Sequence, residues 1–335
     1  LTESWYRGSP LLLLLLPLSW VFGWMAERRR QQLLASGPYR AAVPLIVVGN
    51  ITAGGTGKTP LCIALARHFT AQGLKVVIVS RGYGGNSAVY PLIVNAESDP
   101  QQAGDEAVLL AQQGRCAVVV DPDRVRAVKL AESRLQAQLI LSDDGLQHYA
   151  LGRTLELAVV DGERGLGNGW LLPAGPLREP AQRLCNVDIV VTNGPLRQPL
   201  PVSVVRQFTL ALEPTGLVNL ASGERLSVGE WQQRHGTANP VHAVAGIGNP
   251  GRFFASLQQL GFVIMPQAFG DHHAYNAGEL AFSDMAPLVM TSKDAVKCRH
   301  FAQRHWWMWE VEAVLPMEFY ATLQHLLPRL SQQLP

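Results

Sequence analysis

The loop Gly54-Gly55-Thr56-Gly57-Lys58-Thr59 carries the residue types that bind nucleotide phosphates. Residues 43–48 before it are predicted to form a buried strand, and residues 60–69 after it a helix with proline in its first turn. Between these elements, glycine N–H groups and the helix N-terminus can surround phosphates, the lysine can reach the β- and γ-phosphates, and the threonine hydroxyl can bind Mg²⁺. The nucleotide-binding residues predicted from this pattern are Thr52, Ala53, Gly54, Gly55, Thr56, Gly57, Lys58 and Thr59.

One position departs from the usual spacing G-x-x-x-x-G-K-[ST], which places glycine where this chain has Thr52. The alternative is an ordinary glycine-rich turn between a strand and a helix. The intact Gly57-Lys58-Thr59 and the strand and helix around it favour the phosphate site.

Two acidic pairs are candidates for further chemistry. Asp143 and Asp144 end the apolar run 139–141, and a phosphate loop needs a carboxylate at the end of a neighbouring parallel strand to hold Mg²⁺. The alternative for this pair is a helix cap or a turn. Asp105 and Glu106 open an apolar helix, where an acidic cap is the ordinary interpretation.

Three loops could complete a site. In Asp271-His272-His273 an aspartate can orient a histidine base; a structural histidine is the ordinary alternative, and zinc lacks a third ligand at metal spacing. Arg81 and Tyr83 follow the predicted strand 76–79, where they can clamp a phosphate and pack on a sugar or acyl chain, unless this is a turn with a solvated arginine. The irregular stretch 172–180 is a plausible pocket loop.

Length, charge and cysteine content limit what kind of protein this chain can be. With 335 residues the chain has room for one large or two modest domains, and its net charge of +2 argues against nucleic acid as the main partner. The four cysteines show no C-x-x-C or zinc spacing, so we interpret them as reduced thiols in a cytosolic compartment.

An apolar, leucine-rich segment spans residues 10–25 and is followed by Glu27-Arg28-Arg29-Arg30. It is short for a membrane span, contains Pro17, and has the reverse charge order of a signal peptide. We therefore predict an anchor at the membrane surface, with leucines and tryptophans in the acyl boundary and arginines on anionic headgroups. A buried helix packed on the domain and a single membrane span are the alternatives.

Strand and helix patterns alternate from residue 41 to 200, which predicts an α/β fold with a mostly parallel sheet and helices on both faces. The predicted organisation is an N-terminal membrane-associating helix (1–40), a nucleotide-binding domain (41–200), a two-stranded connection (201–239), a smaller α/β domain (240–316), and a C-terminal helix that packs back on the first domain (317–335).

Together these motifs resemble the tetraacyldisaccharide 4′-kinase family of lipid A biosynthesis, and the resemblance covers nearly the whole chain. The departure at Thr52 is normal for this family, whereas Ser292 stands where the family usually has an acid. The motifs that carry the resemblance are residues 48–60, 80–85, 104–106, 143–148, 172–180, 246–250, 271–273 and 291–297.

The resemblance implies a P-loop kinase that uses ATP and Mg²⁺ to phosphorylate the 4′-hydroxyl of a tetraacylated glucosamine disaccharide 1-phosphate, a lipid A precursor, at the cytoplasmic face of the bacterial inner membrane. It also implies a cleft between two α/β domains, with Asp105 as the base, His272 rather than His273 as its partner, and Lys58 as the third catalytic residue. The implied metal contacts are Thr59, Glu106, Asp143 and Asp144. The implied substrate contacts are Arg81, Tyr83, Gln147, His148, Arg178 and Glu179.

A membrane-associated regulatory ATPase of the partitioning or cell-division type is the alternative function. Those proteins carry a signature lysine just before the Gly-Gly pair, where this chain has Ala53. A lipid-binding protein with a vestigial nucleotide site would lack Lys58 or the acids, and both are intact.

Overall fold

The computed structural model describes residues 4–236 and 238–327, in which thirteen strands belong to one mixed sheet. The strands are β1 (Leu45–Gly49), β2 (Val76–Ser80), β3 (Leu92–Val94), β4 (Ala117–Val120), β5 (Leu139–Asp143), β6 (Leu155–Asp161), β7 (Ile189–Asn193), β8 (Gln207–Asn219), β9 (Arg225–Leu226), β10 (Val241–Ala245), β11 (Ile264–Ala268), β12 (Leu288–Thr291) and β13 (Trp306–Val314).

Helices flank this sheet and precede it. The α-helices are α1 (Ser4–Arg7), α2 (Leu16–Ala35), α3 (Lys58–Ala71), α4 (Pro100–Ala103), α5 (Asp105–Gly114), α6 (Arg124–Ser133), α7 (Val228–His235), α8 (Pro250–Gln259), α9 (Ser292–Cys298) and α10 (Met317–Leu326). Short 3₁₀ helices occupy Pro10–Leu15, Ala181–Asn186 and Arg299–Phe301.

The strand order is β11-β10-β12-β13-β8-β7-β6-β1-β5-β2-β4-β3, with β9 paired to β8. Strands from β7 to β4 along this order are parallel, and so are those from β11 to β13. Alternate residues of β1 face two different cores, Ile46 and Val48 on one side and Leu45 and Val47 on the other, because successive side chains of a strand point to opposite faces. Helices cover both cores, so the predicted fold class is confirmed.

Strand β8 joins the two halves of the sheet. Its first residues pair in parallel with β7, and the rest of the strand pairs antiparallel with β13. Residues 201–239, predicted as a two-stranded connection, hold β8 and β9 and also α7, which the sequence analysis missed. The capping box that begins α7, Ser227 with Glu230, was a readable signal for this helix. The domain boundaries proposed from the sequence stay predictions, since the sheet runs through them.

Helix α10 packs on the half of the sheet that contains β1. Phe319, Leu323 and Leu327 are buried in the same core as β1 and α3. The ring of Phe319 meets that of Phe208 edge to face, with centroids 5.5 Å apart. The C-terminal part of the predicted 317–335 helix lies outside the described residues.

The N-terminal helix α2 is attached along one side only. The hydroxyl of Ser19 donates to the carbonyl of Leu171 (2.9 Å) and accepts from the N–H of Ala174 (3.1 Å), and Trp5 and Leu12 are buried. On the remaining surface of α2 and of the 3₁₀ helix before it, leucines and tryptophans are exposed, among them Leu14 at 77% and Trp20 at 74%. In the most apolar 18-residue stretch of Pro10–Ala35, only 11% of the residues are buried, which excludes the alternative of a helix buried in the domain. By length and composition alone, these 26 residues could also cross a membrane.

Phe319→Ala tests whether α10 belongs to the core. Truncating this fully buried ring is expected to destabilise the protein by about 3–5 kcal/mol through lost burial and the cavity it leaves. Met317→Ala, at an exposed position of the same helix, is the matched control and is expected to change stability by less than about 0.5 kcal/mol. Thermal unfolding in detergent measures both; equal midpoints for the two variants would contradict the packing of α10.

Candidate active site

The glycine loop connects β1, which lies between β6 and β5 in the sheet, to α3. Gly54 and Gly57 have φ of 101° and 97°, conformations that disfavour side chains. A Cβ on Gly57 would also lie 2.4 Å from the amide nitrogen of Asn193. By contrast, a Cβ on Gly54 or Gly55 would meet no atom within 4 Å. The loop is therefore braced on one side and open on the other, as a phosphate cradle requires.

The departure at Thr52 has a structural reason. Thr52 forms an antiparallel bridge with Leu177, and the next N–H, of Ala53, donates to the carbonyl of Pro176 (2.7 Å). This start of the loop is thus paired to the stretch 172–180 in an extended conformation, which a β-branched threonine adopts readily. The glycine loop and the predicted pocket loop are held together by their backbones.

The ammonium of Lys58 points along the loop towards the end of β5. Its Nζ donates to Oδ1 of Asn50 (3.0 Å) and lies 3.3 Å from Oδ1 of Asp144. Arg178 lies 3.3 Å from the other carboxylate oxygen of Asp144. Burial alone would raise the pKa of Asp144, but these two cations outweigh it and hold that pKa below its usual value. Lys58, Asp144 and Arg178, each predicted separately, form one charged cluster.

Asp143 lies deeper, with its carboxylate against the thiol of Cys62 (3.5 Å). Burial and the nearby charges of Glu106 and Asp144 raise the pKa of Asp143 to about 6. The buried guanidinium of Arg124 fixes the end of β5 by donating to the backbone carbonyl of Asp143 (2.7 Å). The three carboxylates therefore lie close enough for their charges to oppose one another at this edge of the sheet.

Asp105 and His272 meet across the cleft between the two halves of the sheet. Nδ1 of His272 lies 3.3 Å from Oδ2 of Asp105, while Oδ1 of Asp105 accepts the N–H of Glu106 (2.9 Å). Burial opposes ionisation of Asp105, but His272 and Lys293 outweigh it and hold the pKa of Asp105 below its usual value. The bond to Asp105 raises the pKa of His272 against burial. Asp105 thus does more than cap its helix.

Tyr83 lies against this pair. Its ring centroid is 4.8 Å from that of His272, and the side chain is otherwise exposed. A Cβ on Gly85 would lie 2.5 Å from the N of Gly104, so the loop that carries Tyr83 packs tightly against the start of α5. Arg81 is exposed and has no ion pair among the described residues. Both side chains are free to meet a substrate at this edge.

Gln147 and Glu179 are bound into the protein rather than open to solvent. Gln147 donates to Oε2 of Glu179 (2.8 Å) and to the carbonyl of Asn50 (3.0 Å), and the hydroxyl of Tyr149 donates to Oε1 of Glu179. Burial and the charge of Arg124 lower the pKa of the half-buried His148 to about 4, so this ring is neutral. In the described structure Gln147 and Glu179 are bonded to each other and to Asn50 at the end of β1, and their predicted substrate contacts stay predictions. His273 pairs with Glu279 (3.2 Å), away from Asp105, which agrees with the choice of His272.

The second half of the sheet reaches the glycine loop directly. A Cβ on Gly248 would lie 3.2 Å from the N of Gly55. On the same side, Arg252 of α8 pairs with Asp161 at the end of β6 (3.2 Å), and Arg164 donates to the carbonyl of Gly248 (2.7 Å). These contacts set the width of the cleft.

Three polar residues at the site escaped the sequence analysis: Asn50, Arg124 and Lys293. Asn50 and Lys293 lie inside the recognised motifs 48–60 and 291–297, and membership of those motifs was the available signal. Arg124 lies outside every motif. Its burial follows from the tertiary packing of α6, which no local pattern indicates.

The residues present fit ATP and Mg²⁺. Thr56 Oγ1 in the open loop is buried and has no hydrogen-bond partner among the described atoms, and Lys58 is at hand for phosphate charge. Mg²⁺ prefers oxygen ligands and keeps several waters, so it needs no closed protein cage. Within the described ranges, no group of three or more His, Cys, Asp or Glu could hold a metal ion by itself. Thr59, Glu106, Asp143 and Asp144 would hold the ion together with phosphate oxygens.

Solved and curated proteins resemble this chain along its whole length. The fold matches the crystal structure of LpxK from Aquifex aeolicus in complex with ATP, with a TM-score of 0.79 and 26% identity over 95% of this chain and 99% of that one. Tetraacyldisaccharide 4′-kinases from Ectopseudomonas mendocina and Azotobacter vinelandii are 48% and 49% identical, each over 98% of this chain and 97% of the relative.

The family model described as tetraacyldisaccharide-1-P 4′-kinase matches residues 11–328. That range contains the glycine loop, the acidic cluster and the Asp105–His272 pair. By its sequence and its fold, the chain belongs to the tetraacyldisaccharide-1-P 4′-kinase family.

Proposed function

We propose that this kinase transfers the γ-phosphoryl group of ATP to the 4′-hydroxyl of a tetraacylated glucosamine disaccharide 1-phosphate, a lipid A precursor, giving lipid IVA. The observation that carries the proposal is the pairing of Asp105 with His272 beside an open phosphate loop. A loop that only bound or hydrolysed nucleotide would not require a paired carboxylate placed for an acceptor hydroxyl. Family membership and the ATP complex of the Aquifex relative support the same reaction.

Each residue of the site has a role that follows from its chemistry. When bound, ATP supplies the phosphoryl group and Mg²⁺ neutralises part of its charge. The ammonium of Lys58 neutralises charge on the phosphates, and the carboxylate of Asp105 takes the proton of the 4′-hydroxyl, whose pKa is far above neutrality. His272 holds Asp105 in place from the other half of the sheet. Because the pair is complete only when both halves meet, closure limits wasteful hydrolysis of ATP.

The exposed apolar face of α2 is proposed to rest on the cytoplasmic face of the bacterial inner membrane, as a peripheral or monotopic anchor. The helix is attached to the loop 166–178, which ends at Arg178 of the site. Arg30 of the same helix lies over the ring of Tyr149, 5.4 Å from its centroid. The anchor would therefore bring the bilayer, and the acyl chains of the substrate, to the edge of the cleft.

The alternative of a partitioning-type regulatory ATPase is not favoured. Family membership argues against it, and Ala53 replaces the lysine that marks those proteins.

Arg178 and Arg81 are the substrate contacts that we favour, since Arg178 already binds the acidic cluster and Arg81 is exposed beside it.

Lys58→Ala is expected to lower phosphate transfer from γ-labelled ATP to the disaccharide lipid in detergent micelles by about 10²-fold or more, because it removes a charge contact of the transition state. Lys129→Ala, at an exposed position on α6, is the control and is expected to keep full turnover. Near-normal turnover of Lys58→Ala at saturating ATP would contradict the kinase proposal.

Asp105→Ala and His272→Ala are expected to lower kcat sharply with little change in KM for ATP, because both act on the acceptor hydroxyl. The double variant is expected to cost little more than the worse single variant, since members of one catalytic unit are strongly non-additive. Steady-state kinetics of the three proteins provide the test. Multiplicative losses would show that the two residues act independently.

The double substitution Leu14→Glu with Trp20→Glu tests the anchor without disturbing the contacts of Trp5, Leu12 and Ser19. Charge on this face is expected to shift the protein from the membrane fraction to the soluble fraction, because it opposes insertion into the acyl boundary. The control places the same two charges at the exposed Gln233 and Gln303. Quantitative pelleting of both proteins with vesicles would place the anchor elsewhere.

A further inference from the structure

Lys293, near the start of α9, contacts His272 at the ring nitrogen that does not face Asp105. Its Nζ lies 3.2 Å from Nε2 of His272, 3.3 Å from Oδ1 of Asp271 and 3.0 Å from Oε1 of Glu106. His272, Asp271 and Lys293 belong to the second half of the sheet, whereas Glu106 begins α5 in the first half. A single ammonium therefore touches the catalytic histidine and spans the cleft.

We propose that Lys293 is a positioning residue for phosphoryl transfer, which selects the tautomer of His272 and ties its loop to α5. The proposal rests on the proposed function for its effect on rate. Its structural part, the state of the His272 ring, stands on the geometry alone.

The tautomer follows from hydrogen-bonding capacity. A lysine ammonium has three donors and no acceptor, so Nε2 of His272 must present its lone pair to Lys293. The single proton of the neutral imidazole then lies on Nδ1, where it is donated to Oδ2 of Asp105. The opposite tautomer would set an N–H against the ammonium and a lone pair against the carboxylate, so both contacts would become repulsive.

The ion pairs of Lys293 with Glu106 (3.0 Å) and Asp271 (3.3 Å) hold its side chain in place, so that the ammonium faces Nε2 of His272.

The backbone of His272 also needs outside support. Its φ of 60° is a left-handed conformation that is unfavourable for a residue with a side chain. The contacts that hold it there are Asp105, Lys293 and the ring of Tyr83. Removing Lys293 would free the ring to turn away from Asp105 without removing either member of the pair.

Lys293→Met, which keeps the length of the side chain but removes its donors, is expected to lower kcat about 10- to 100-fold with little change in KM for ATP or lipid, since it weakens a base without removing it. Lys293→Arg keeps the charge and the donors and is expected to recover most of the loss. Lys75→Met, at an exposed position far from Lys293 in the sequence, is the control.

The background of His272→Ala separates positioning from a direct role. If Lys293 acts through the histidine, adding Lys293→Met to His272→Ala is expected to cost less than about twofold more. A further loss equal to that of the single variant would show that Lys293 acts on the substrate or the metal and would overturn the proposal.

The state of the ring can be observed directly in the unmodified protein. In a long-range ¹H–¹⁵N spectrum of histidine-labelled kinase at alkaline pH, the His272 signals are identified by their absence in His272→Gln. We expect a protonated Nδ1 and an unprotonated Nε2, and in Lys293→Met a mixture of tautomers. A protonated Nε2 in the unmodified protein would overturn the proposal, even if Lys293→Met failed to fold. Unmodified protein that failed to phosphorylate the lipid would instead refute the proposed function, leaving the tautomer result intact.

Discussion

The balance of charge at one edge of the sheet is the constraint on which the rest of the site depends. Asp143 ends β5 and Asp144 follows it, while Asp105 and Glu106 begin α5, so four carboxylates lie together, of which Asp105 and Asp143 are buried and Asp144 and Glu106 are partly exposed. Such a group is costly unless cations and hydrogen bonds compensate it. Lys58, Arg178 and Lys293 supply the charge, each from a different element of the fold.

The carboxylate of Asp143 keeps a raised pKa in spite of the cations around it. The cause is burial first, and then the nearby charges of Glu106 and Asp144. A divalent cation bound with nucleotide would favour the ionised form of this carboxylate. The site is therefore poised to gain stability when its cofactor arrives, and the glycine loop beside it is already open.

The long strand β8 makes the two-sided site possible. Because it pairs with β7 at one end and with β13 at the other, the two halves of the sheet have one continuous backbone connection. Arg252 on Asp161 and Lys293 on Glu106 then cross the cleft as ion pairs, while Val296 of α9 and Ala313 of β13 pack into the core that β1 and α3 share. The two halves are therefore joined by packing as well as by charge.

The sequence alone determined the parts of this protein that local pattern encodes. The glycine loop, the acids at the end of β5, the apolar N-terminal helix and the alternation of strands and helices were predicted because each depends on residues close together in the chain. The family and the fold class were identified from the same motifs and are confirmed. Helix α7 was missed although its capping box is local.

What only the tertiary structure decided is which distant residues share a contact. Local pattern left Asp105 as an ordinary cap, and its partnership with His272 came only from the family resemblance; the fold supplies the contact itself, with Nδ1 of His272, 167 residues further along the chain, 3.3 Å from Oδ2 of Asp105. Likewise, nothing in the stretch 291–297 indicates that Lys293 would meet Glu106. Nothing in the stretch 172–180 indicates that Glu179 would be buried and bonded to Tyr149. Local pattern records the preference of each residue for strand, helix or turn. The side chain across a cleft is chosen by the packing of the whole sheet, because such contacts form only once elements remote in sequence are in place.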